Sequence, residues 1–279
     1  AKLWDYKETP STAFAKFDFV KVRGSYVPFN DTTQFRVERI RKVLPQDNAR
    51  IEDYVPSACF SGEDMLAEIE RIVADFEDGE LQTLVFSVIG EYRDRLLYWP
   101  AAKNLHHAVR GGLLMHTLSI LRLAQAVCGI YGFVNFDLLA SGAILHDIAK
   151  IEELDVAETG IASDYTVKGN LLGHLVMGTV IVDRIGRANG ISDKTLTLVE
   201  HMLISHHGSP EFGAAKLPMF IEAELLSELD LLDARLYEMN HAVSAVEAGQ
   251  FTPRQWALDN RNLYNHGRGG EDKVNLINE

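Results

Sequence analysis

The stretch Leu145-His146-Asp147-Ile148-Ala149-Lys150 (LHDIAK) joins an imidazole, a carboxylate and an amine within one short segment. It follows an apolar run over residues 138–145 that predicts a mostly buried helix. Burying polar and charged side chains at the end of such a helix is unfavourable unless each has a partner. A metal ion would be a partner for His146 and Asp147, and a phosphate group would be one for Lys150. A His-Asp pair is common by chance, so the positions of the other histidines decide its meaning.

The composition is that of an ordinary globular protein. The chain has 279 residues, of which 47% are hydrophobic and 24% are charged, and this length allows a sizeable core in one large or two smaller domains. We identify no signal peptide and no apolar stretch of the ~20 residues that a bilayer span needs. The two cysteines, Cys59 and Cys128, lie in apolar settings and predict buried thiols in a reducing compartment. We therefore expect a cytoplasmic protein without a membrane partner.

The charge is distributed unevenly along the chain. The formal net charge is −13, yet residues 1–45 contain nine Lys and Arg against five Asp and Glu. Alternating residues predict strands over 14–43, with turns at Arg23-Gly24-Ser25 and Asn30-Asp31. The basic side chains expected to be exposed on these strands are Lys21, Arg23, Arg36, Arg39, Arg41 and Lys42. Basic strands with Phe and Tyr between them suit single-stranded nucleic acid, but a sheet edge protected by charge has the same pattern.

The pattern after these strands is helical, with one interruption. Ser61-Gly62-Glu63-Asp64 is typical of a helix N-terminus, and Asp78-Gly79 separates the first helix from the second. Residues 151–170 alternate near Tyr165 and predict a β-hairpin. We therefore predict four parts: a β segment at 1–50, a linker at 51–62, a helical domain at 63–248, and a C-terminal strap that fades into a loose tail at 249–279.

Eight of the ten histidines fall between residues 106 and 207. His116, His174 and the His206-His207 pair each lie near a predicted helix end that is marked by a glycine. Asp230 lies in a strongly apolar helix, where burying a lone carboxylate is unfavourable unless it has a partner. Imidazole and carboxylate without thiolate favour Mn²⁺, Fe or Zn over Mg²⁺ or Ca²⁺. We predict Mn²⁺ as the bound ion, with Fe, Co or Zn as alternatives. We predict one ion bound by His116, His146, Asp147 and Asp230, and a second bound by His174, His206 and His207, with Asp147 as the bridge.

These motifs resemble a known family. The order His116, His146-Asp147 and Asp230 is similar to that of the HD superfamily of metal-dependent phosphohydrolases, and the added histidines resemble its two-metal members. Three stretches resemble the YhaM-type 3′→5′ exoribonucleases, namely residues 100–104 (PAAKN), 169–174 (GNLLGH) and 203–208 (LISHHG). The resemblance spans residues 15–265, with Ala149 where the family pattern has Gly. It implies a mainly α fold, an all-helical HD bundle with a short β-hairpin insertion, preceded by part of an OB-fold.

The chemistry of such a site also predicts roles for individual residues. Ions that share Asp147 would activate a water for attack on phosphorus, and Lys150 would stabilise the phosphate. Arg110 is a second candidate phosphate contact. His106 and His107 either position the leaving group, orient a metal ligand, or form a polar helix edge.

Three functions stay open at this point. The first is a metal-dependent 3′→5′ exonuclease acting on single-stranded RNA, with DNA as a second candidate substrate. The second is a phosphohydrolase or phosphodiesterase acting on a nucleotide or cyclic nucleotide, and the third is a ligand-sensing module without catalysis. The basic strands and the extent of the resemblance favour the first, whereas Lys150 and the full ligand set count against the third. An acidic body with apolar helices is also compatible with a homo-oligomer.

Overall fold

The computed structural model describes residues 1–3, 9, 13–30, 32–104, 107–270 and 273–277. Within these residues most of the chain is helical, and paired strands occur in two places: an N-terminal sheet and a hairpin inside the helical part. The fold is therefore mainly α, as the sequence predicted.

The N-terminal sheet has the strand order β1-β3-β2, with β1 at Lys2–Leu3, β2 at Val20–Phe29 and β3 at Thr32–Lys42. β2 and β3 form an antiparallel hairpin, and β1 pairs with β3 in parallel. The turn predicted at Arg23-Gly24-Ser25 is wrong, because β2 continues through a bulge between Arg23 and Gly24. A Cβ on Gly24 would lie 2.1 Å from the Arg36 carbonyl oxygen, so this glycine permits close approach of the strands rather than a turn.

The bulge decides which basic side chains share a face of the sheet. Arg23 pairs with Arg39, and Ser25, two residues further along β2, pairs with Arg36. Arg36 and Arg39 are three residues apart on β3, because the bulge adds one residue to that strand. Arg23 and Ser25 point to the same face of the sheet because they are two residues apart on β2. Their cross-strand partners, Arg39 and Arg36, therefore point to that face as well. We call Arg23, Arg36 and Arg39 the arginine face. Simple alternation along β3 would have placed Arg36 and Arg39 on opposite faces.

Carboxylates neutralise the neighbouring basic residues of this sheet. Lys21 Nζ lies 2.7 Å from Asp47 Oδ1, and Arg41 Nη1 lies 2.7 Å from Asp47 Oδ2. Lys42 Nζ lies 2.9 Å from Asp18 Oδ2. Arg41 is therefore half-buried and not exposed as predicted. Within the described residues, no carboxylate forms an ion pair with the arginine face.

The first two helices follow their sequence signals. α1 (Gly62–Ala74) is capped by the Ser61 hydroxyl, which accepts from the Asp64 N–H, and α2 (Gly79–Leu96) is capped by the Asp78 carboxylate. Such caps satisfy backbone N–H groups that have no partner within the helix. Both helices bury their apolar stripes in the main core, so the predicted positions of these two helices are confirmed.

The other helices enclose the site. They are α3 (Gly112–Ile130), α4 (Phe136–Leu145), α5 (Lys150–Glu153), α6 (Val167–Ala188), α7 (Asp193–Ser205) and α8 (Ile221–Ser244). Strands β4 (Leu154–Val156) and β5 (Ala162–Tyr165) pair between α5 and α6, which confirms the predicted hairpin. α3 and α4 contact each other and α8, while α6 contacts α5 and α7. One hydrophobic cluster extends from Met65 in α1 to Leu229 in α8.

Helix α3 corrects the expectation that no segment is apolar enough to span a membrane. Gly112–Ile130 passes that test by length and composition, with half of its most apolar window buried. We interpret α3 as a core helix because it contacts α1, α4 and α8 and buries Leu118 and Leu121 completely. Core helices of globular proteins are also apolar on most sides.

The thiol environment also differs from the prediction. Cys59 is exposed and Cys128 is half-buried. Cys59 lies in the connector, which is residues 43–61 between β3 and α1, and Ala58 and Phe60 on either side of it pack against the core. The residue is exposed overall, yet its thiol lies against the core, because Cys59 Sγ is 3.8 Å from Sδ of the buried Met115.

The C-terminal end is less loose than predicted. Leu276 is buried in the core cluster, and its carbonyl oxygen accepts from Arg122 Nε at 2.8 Å. Upstream, the Asn265 side chain donates to the Val243 and Val246 carbonyl oxygens at the end of α8. The strap therefore runs along α8, and residues 273–277 return to the helical core.

Candidate metal centre

The LHDIAK stretch lies at the junction of two helices. α4 ends at Leu145, α5 begins at Lys150, and the intervening residues form tight turns, with the Lys150 N–H donating to the Asp147 carbonyl oxygen at 3.0 Å. His146 is 0% exposed and Asp147 is 3% exposed. The junction thus buries an imidazole and a carboxylate at the centre of the bundle, where each needs a partner.

Four other elements bring side chains to Asp147. His116 comes from α3, His174 from the kink in α6, and His206 from the end of α7. The kink arises at Gly173, whose φ of 71° is in the left-handed region that favours glycine. Asp230 comes from α8, and its Oδ1 lies 3.1 Å from His116 Nε2 and 4.0 Å from His146 Nε2.

The two oxygens of Asp147 face two different groups of histidines. Oδ2 lies 3.3 Å from His146 Nε2 and 3.8 Å from His116 Nε2. Oδ1 lies 3.4 Å from His174 Nε2 and 3.9 Å from His206 Nε2. Asp147 therefore lies between two groups of histidines, and ligand atoms of His146, His206 and Asp230 also lie within 4.8 Å of one another. His207 adjoins the second group, since its ring centroid lies 5.2 Å from that of His174.

The histidines present Nε2 to the centre because Nδ1 is bound elsewhere. His146 Nδ1 donates to the Ala143 carbonyl oxygen at 2.9 Å, and His206 Nδ1 donates to that of Leu203 at 2.8 Å. His207 Nδ1 donates to a carbonyl oxygen as well, that of Phe212, at 2.9 Å. A carbonyl oxygen only accepts, so Nδ1 carries the proton and Nε2 carries the lone pair. Local backbone contacts therefore set the tautomer that metal binding requires.

Carboxylates hold the two remaining rings. His174 Nδ1 lies 3.1 Å from Glu153 Oε1, and His116 Nδ1 lies 2.8 Å from Asp233 Oδ2. A carboxylate behind a metal-binding histidine is a common arrangement that orients the ring. Glu153 and Asp233 were not predicted. Each follows a predicted residue, Lys150 or Asp230, at a spacing of three, and that helical spacing was the available signal.

The site contains buried atoms without a protein partner. Among the described residues, Nε2 of His146, His174 and His206 and Oδ1 of Asp147 have no hydrogen bond. Buried polar atoms rarely lack a partner in native structures, and these lone pairs converge on one place. Imidazole nitrogen and carboxylate oxygen suit a divalent transition metal, so the residues present fit such an ion.

The electrostatics of the site keep two of its histidines in the neutral form that binds metal. Burial lowers the pKa of His206 and of His207, which keeps both rings neutral. Burial would raise the pKa of Asp147, but the charge of Lys150 holds it well below its usual range. His116 differs, because hydrogen bonds to Asp230 and Asp233 outweigh burial and raise its pKa to about 10.

Lys150 lies at the edge of the same centre. Its Nζ is 2.6 Å from Asp147 Oδ2, and its side chain is 12% exposed. Burial would lower the pKa of Lys150, but the Asp147 carboxylate raises it, so the amine stays charged. The carbonyl oxygen of Lys150 accepts from Trp99 Nε1 at 2.9 Å, which fixes the start of α5.

Two of the predicted substrate-binding residues, Arg110 and His107, contact other groups of the protein. Arg110 Nε lies 3.0 Å from Glu52 Oε1, and its guanidinium also donates to the Glu158 carbonyl oxygen, so it links the connector to the hairpin loop. His107 is buried behind His116, against Asp233. His106 lies outside the described residues. Contact of these residues with substrate stays a prediction.

The fold and the site together define a class of protein. A helical bundle gathers buried histidines and aspartates around an adjacent His-Asp pair, and residues 113–235 match the HD domain family. This class consists of metal-dependent hydrolytic enzymes, as the sequence predicted.

Comparison with curated proteins narrows this class. The chain is 34% identical over 265 residues to the 3′-5′ exoribonuclease YhaM of Listeria welshimeri, a match that covers 95% of this chain and 84% of the relative. It is 33% identical over 264 residues to the protein of the same name from Bacillus subtilis, covering 95% of this chain and 83% of the relative. No solved structure matches the chain. The chain therefore belongs to the YhaM family of 3′-5′ exoribonucleases, and the predicted resemblance is confirmed.

Proposed function

We propose that this protein hydrolyses the phosphodiester bonds of single-stranded RNA from the 3′ end, with two divalent ions, preferably Mn²⁺. The observation that carries the proposal is the convergence of unpartnered lone pairs on Asp147. It occurs in a chain that is 34% identical to a relative named a 3′-5′ exoribonuclease. In this proposal the ligands of one ion are His116, His146, Asp147 and Asp230, and those of the other are His174, His206, His207 and Asp147.

The chain's own residues prepare the site before substrate arrives. When bound, the ions activate a water for attack on phosphorus and neutralise charge on the scissile phosphate. The backbone contacts of His146 and His206 hold Nε2 in place, so little rearrangement is required. Burial of Asp147 excludes bulk water and strengthens each electrostatic contact. Lys150 remains charged beside Asp147, and its proposed role is to contact a phosphate oxygen.

The arginine face favours an RNA strand over a small nucleotide as substrate. Directly opposed like charges destabilise a sheet, yet Arg23 and Arg39 pair across the strands. Asp47 and Asp18 neutralise other basic residues nearby but do not reach these arginines. A polyanionic backbone would supply the missing countercharge. We therefore propose that the N-terminal sheet, as part of an OB-fold, binds the RNA strand.

Replacing Arg23, Arg36 and Arg39 together with serine should weaken RNA binding. Three lost phosphate contacts should reduce the slope of log affinity against log salt by about 2. The measurement is fluorescence anisotropy of a labelled oligoadenylate in EDTA across a salt series. A charge-matched control replaces Arg93, Arg184 and Arg187, which form ion pairs on the helical surface. Equal binding by both triple variants would favour a solvated sheet edge instead.

The test of the proposed function is a time course on single-stranded RNA with Mn²⁺. A 5′-labelled strand should give a ladder that shortens from the 3′ end, while a 3′-labelled strand should lose its label as the first mononucleotide. Internal fragments or shortening from the 5′ end would contradict the proposal. Intact RNA together with hydrolysis of mononucleotides or cyclic dinucleotides would favour the phosphohydrolase alternative. The same assay with single-stranded DNA tests the second candidate substrate.

The remaining proposals rest on the sequence. A cytoplasmic location, a homo-oligomeric state, the absence of a membrane partner and the four domain bounds stay predictions. Metal analysis of the purified protein would identify the physiological ion, since the ligand set accommodates Mn²⁺, Fe, Co or Zn.

A further inference from the structure

Asp233 lies behind the metal centre and is not used in the proposed mechanism. It is 8% exposed and follows Asp230 by three residues on α8. Its Oδ2 accepts from His116 Nδ1 at 2.8 Å and from His107 Nε2 at 2.9 Å, and its Oδ1 accepts from the Ser119 hydroxyl. A buried carboxylate with three donors is well satisfied, so its orientation is strongly constrained.

Two aspartates of α8 contact the two ring nitrogens of His116. Asp230 Oδ1 lies 3.1 Å from His116 Nε2, while Asp233 Oδ2 lies 2.8 Å from His116 Nδ1. Residues three apart lie on the same face of a helix, which allows α8 to contact the ring on both edges. Rotation of the His116 ring would break the hydrogen bond to Asp233. The hydrogen bond between His116 Nδ1 and Asp233 therefore fixes the direction in which His116 Nε2 points.

The His107 backbone adopts an uncommon left-handed conformation at the point where its ring contacts Asp233. His107 has a φ of 53°, which is uncommon for a residue other than glycine. Its carbonyl oxygen accepts from the Ala101 N–H at 3.1 Å, and a Cβ on Gly112 would lie 2.0 Å from that oxygen. The His107 ring lies on Tyr237, with centroids 4.0 Å apart. Such strain persists where the surroundings hold it, often at functional sites.

We propose that Asp233, supported by His107 and Ser119, is a positioning residue that fixes His116 for metal binding. The inference rests on the proposed metal centre. A carboxylate that accepts from Nδ1–H holds the imidazole in one tautomer and makes Nε2 a better ligand. The effect of losing Asp233 should therefore fall on metal affinity and not on RNA binding.

The experiment is a Mn²⁺ titration of the full, metal-free chain by calorimetry, without RNA. Asp233→Asn keeps the size of the side chain but removes its charge and one acceptor. We expect its Mn²⁺ affinity to fall by about 10- to 100-fold, with unchanged RNA binding in EDTA. The matched control is Asp94→Asn, an exposed aspartate of α2, which should bind Mn²⁺ like the unmodified protein.

A milder variant covers the case in which Asp233→Asn does not fold, as judged by circular dichroism. Ser119→Ala removes one donor to Asp233 and should weaken Mn²⁺ binding by a few-fold. Folded Asp233→Asn or Ser119→Ala protein with unchanged Mn²⁺ affinity would overturn the proposal. Because the titration contains no RNA, a protein that binds Mn²⁺ but leaves RNA intact would contradict the proposed function without affecting this inference.

Discussion

Asp147→Asn should remove RNA hydrolysis almost completely. Both oxygens of Asp147 face histidine Nε2 atoms, Oδ2 toward His146 and Oδ1 toward His174, so asparagine loses a charge and one acceptor at the centre of the site. Bound ions contribute several kcal/mol to the transition state, and losing about 4 kcal/mol corresponds to about a 10³-fold lower rate. The measurement is the initial rate on 5′-labelled RNA with Mn²⁺ in excess.

A control must separate lost chemistry from lost stability. Asp147→Asn leaves the buried Lys150 ammonium without the carboxylate that lies 2.6 Å away. An uncompensated buried charge destabilises the fold, whereas replacing both members of the pair is better tolerated. The double variant Asp147→Asn/Lys150→Met should therefore recover thermal stability but no activity. Hydrolysis by Asp147→Asn within tenfold of the unmodified rate would show that this aspartate is not a central ligand.

Lys150→Met should lower kcat by about 10²- to 10³-fold, because a preorganised charge near the developing negative charge is lost. Methionine retains an unbranched apolar stem, so the packing around α5 should change little. We expect Mn²⁺ affinity to change much less than kcat. The measurements are kcat on RNA and a Mn²⁺ titration, with the exposed Lys194→Met as the matched control. An equal loss in Mn²⁺ affinity would mean that Lys150 acts by holding Asp147 and not on the phosphate.

Several elements were predictable because their signals are local. Ser61 and Asp78 cap α1 and α2 with their own side chains, and the hairpin at β4 and β5 follows a short alternating segment. Apolar periodicity placed the core stripe of α1, which is buried as expected. Each of these features depends on neighbours within a few residues, so the order of residues carries enough information.

The errors in the fold come from long-range contacts. Gly24 was interpreted as part of a turn, but it permits close approach of β2 to the Arg36 backbone. The same bulge assembles the arginine face, which alternation within one strand does not reveal. Cys59 was expected to be buried because its neighbours are apolar, yet it is exposed while its Sγ lies 3.8 Å from Met115 Sδ of α3, a contact between distant parts of the chain.

The candidate site also has features that the sequence predicted and features that only the packing of helices decided. The motifs indicated which histidines and aspartates to consider, and the structure brings the predicted ligands from α3 to α8 around Asp147. The supporting residues Glu153 and Asp233 were missed. Whether a carboxylate reaches Nδ1 of a given histidine depends on how α5 packs against α6 and how α8 packs against α3.

By itself the sequence determined the mainly α class, the caps, the hairpin and the residue types around the His-Asp pair, because periodicity and spacing express local backbone preferences. Only the tertiary structure decided that Asp147 turns one oxygen to each group of histidines and that Asp233 holds His116 from behind. It alone also decided that three arginines share one face of the sheet. These features are distances between side chains on separate elements, and they arise only when packing fixes the elements relative to one another.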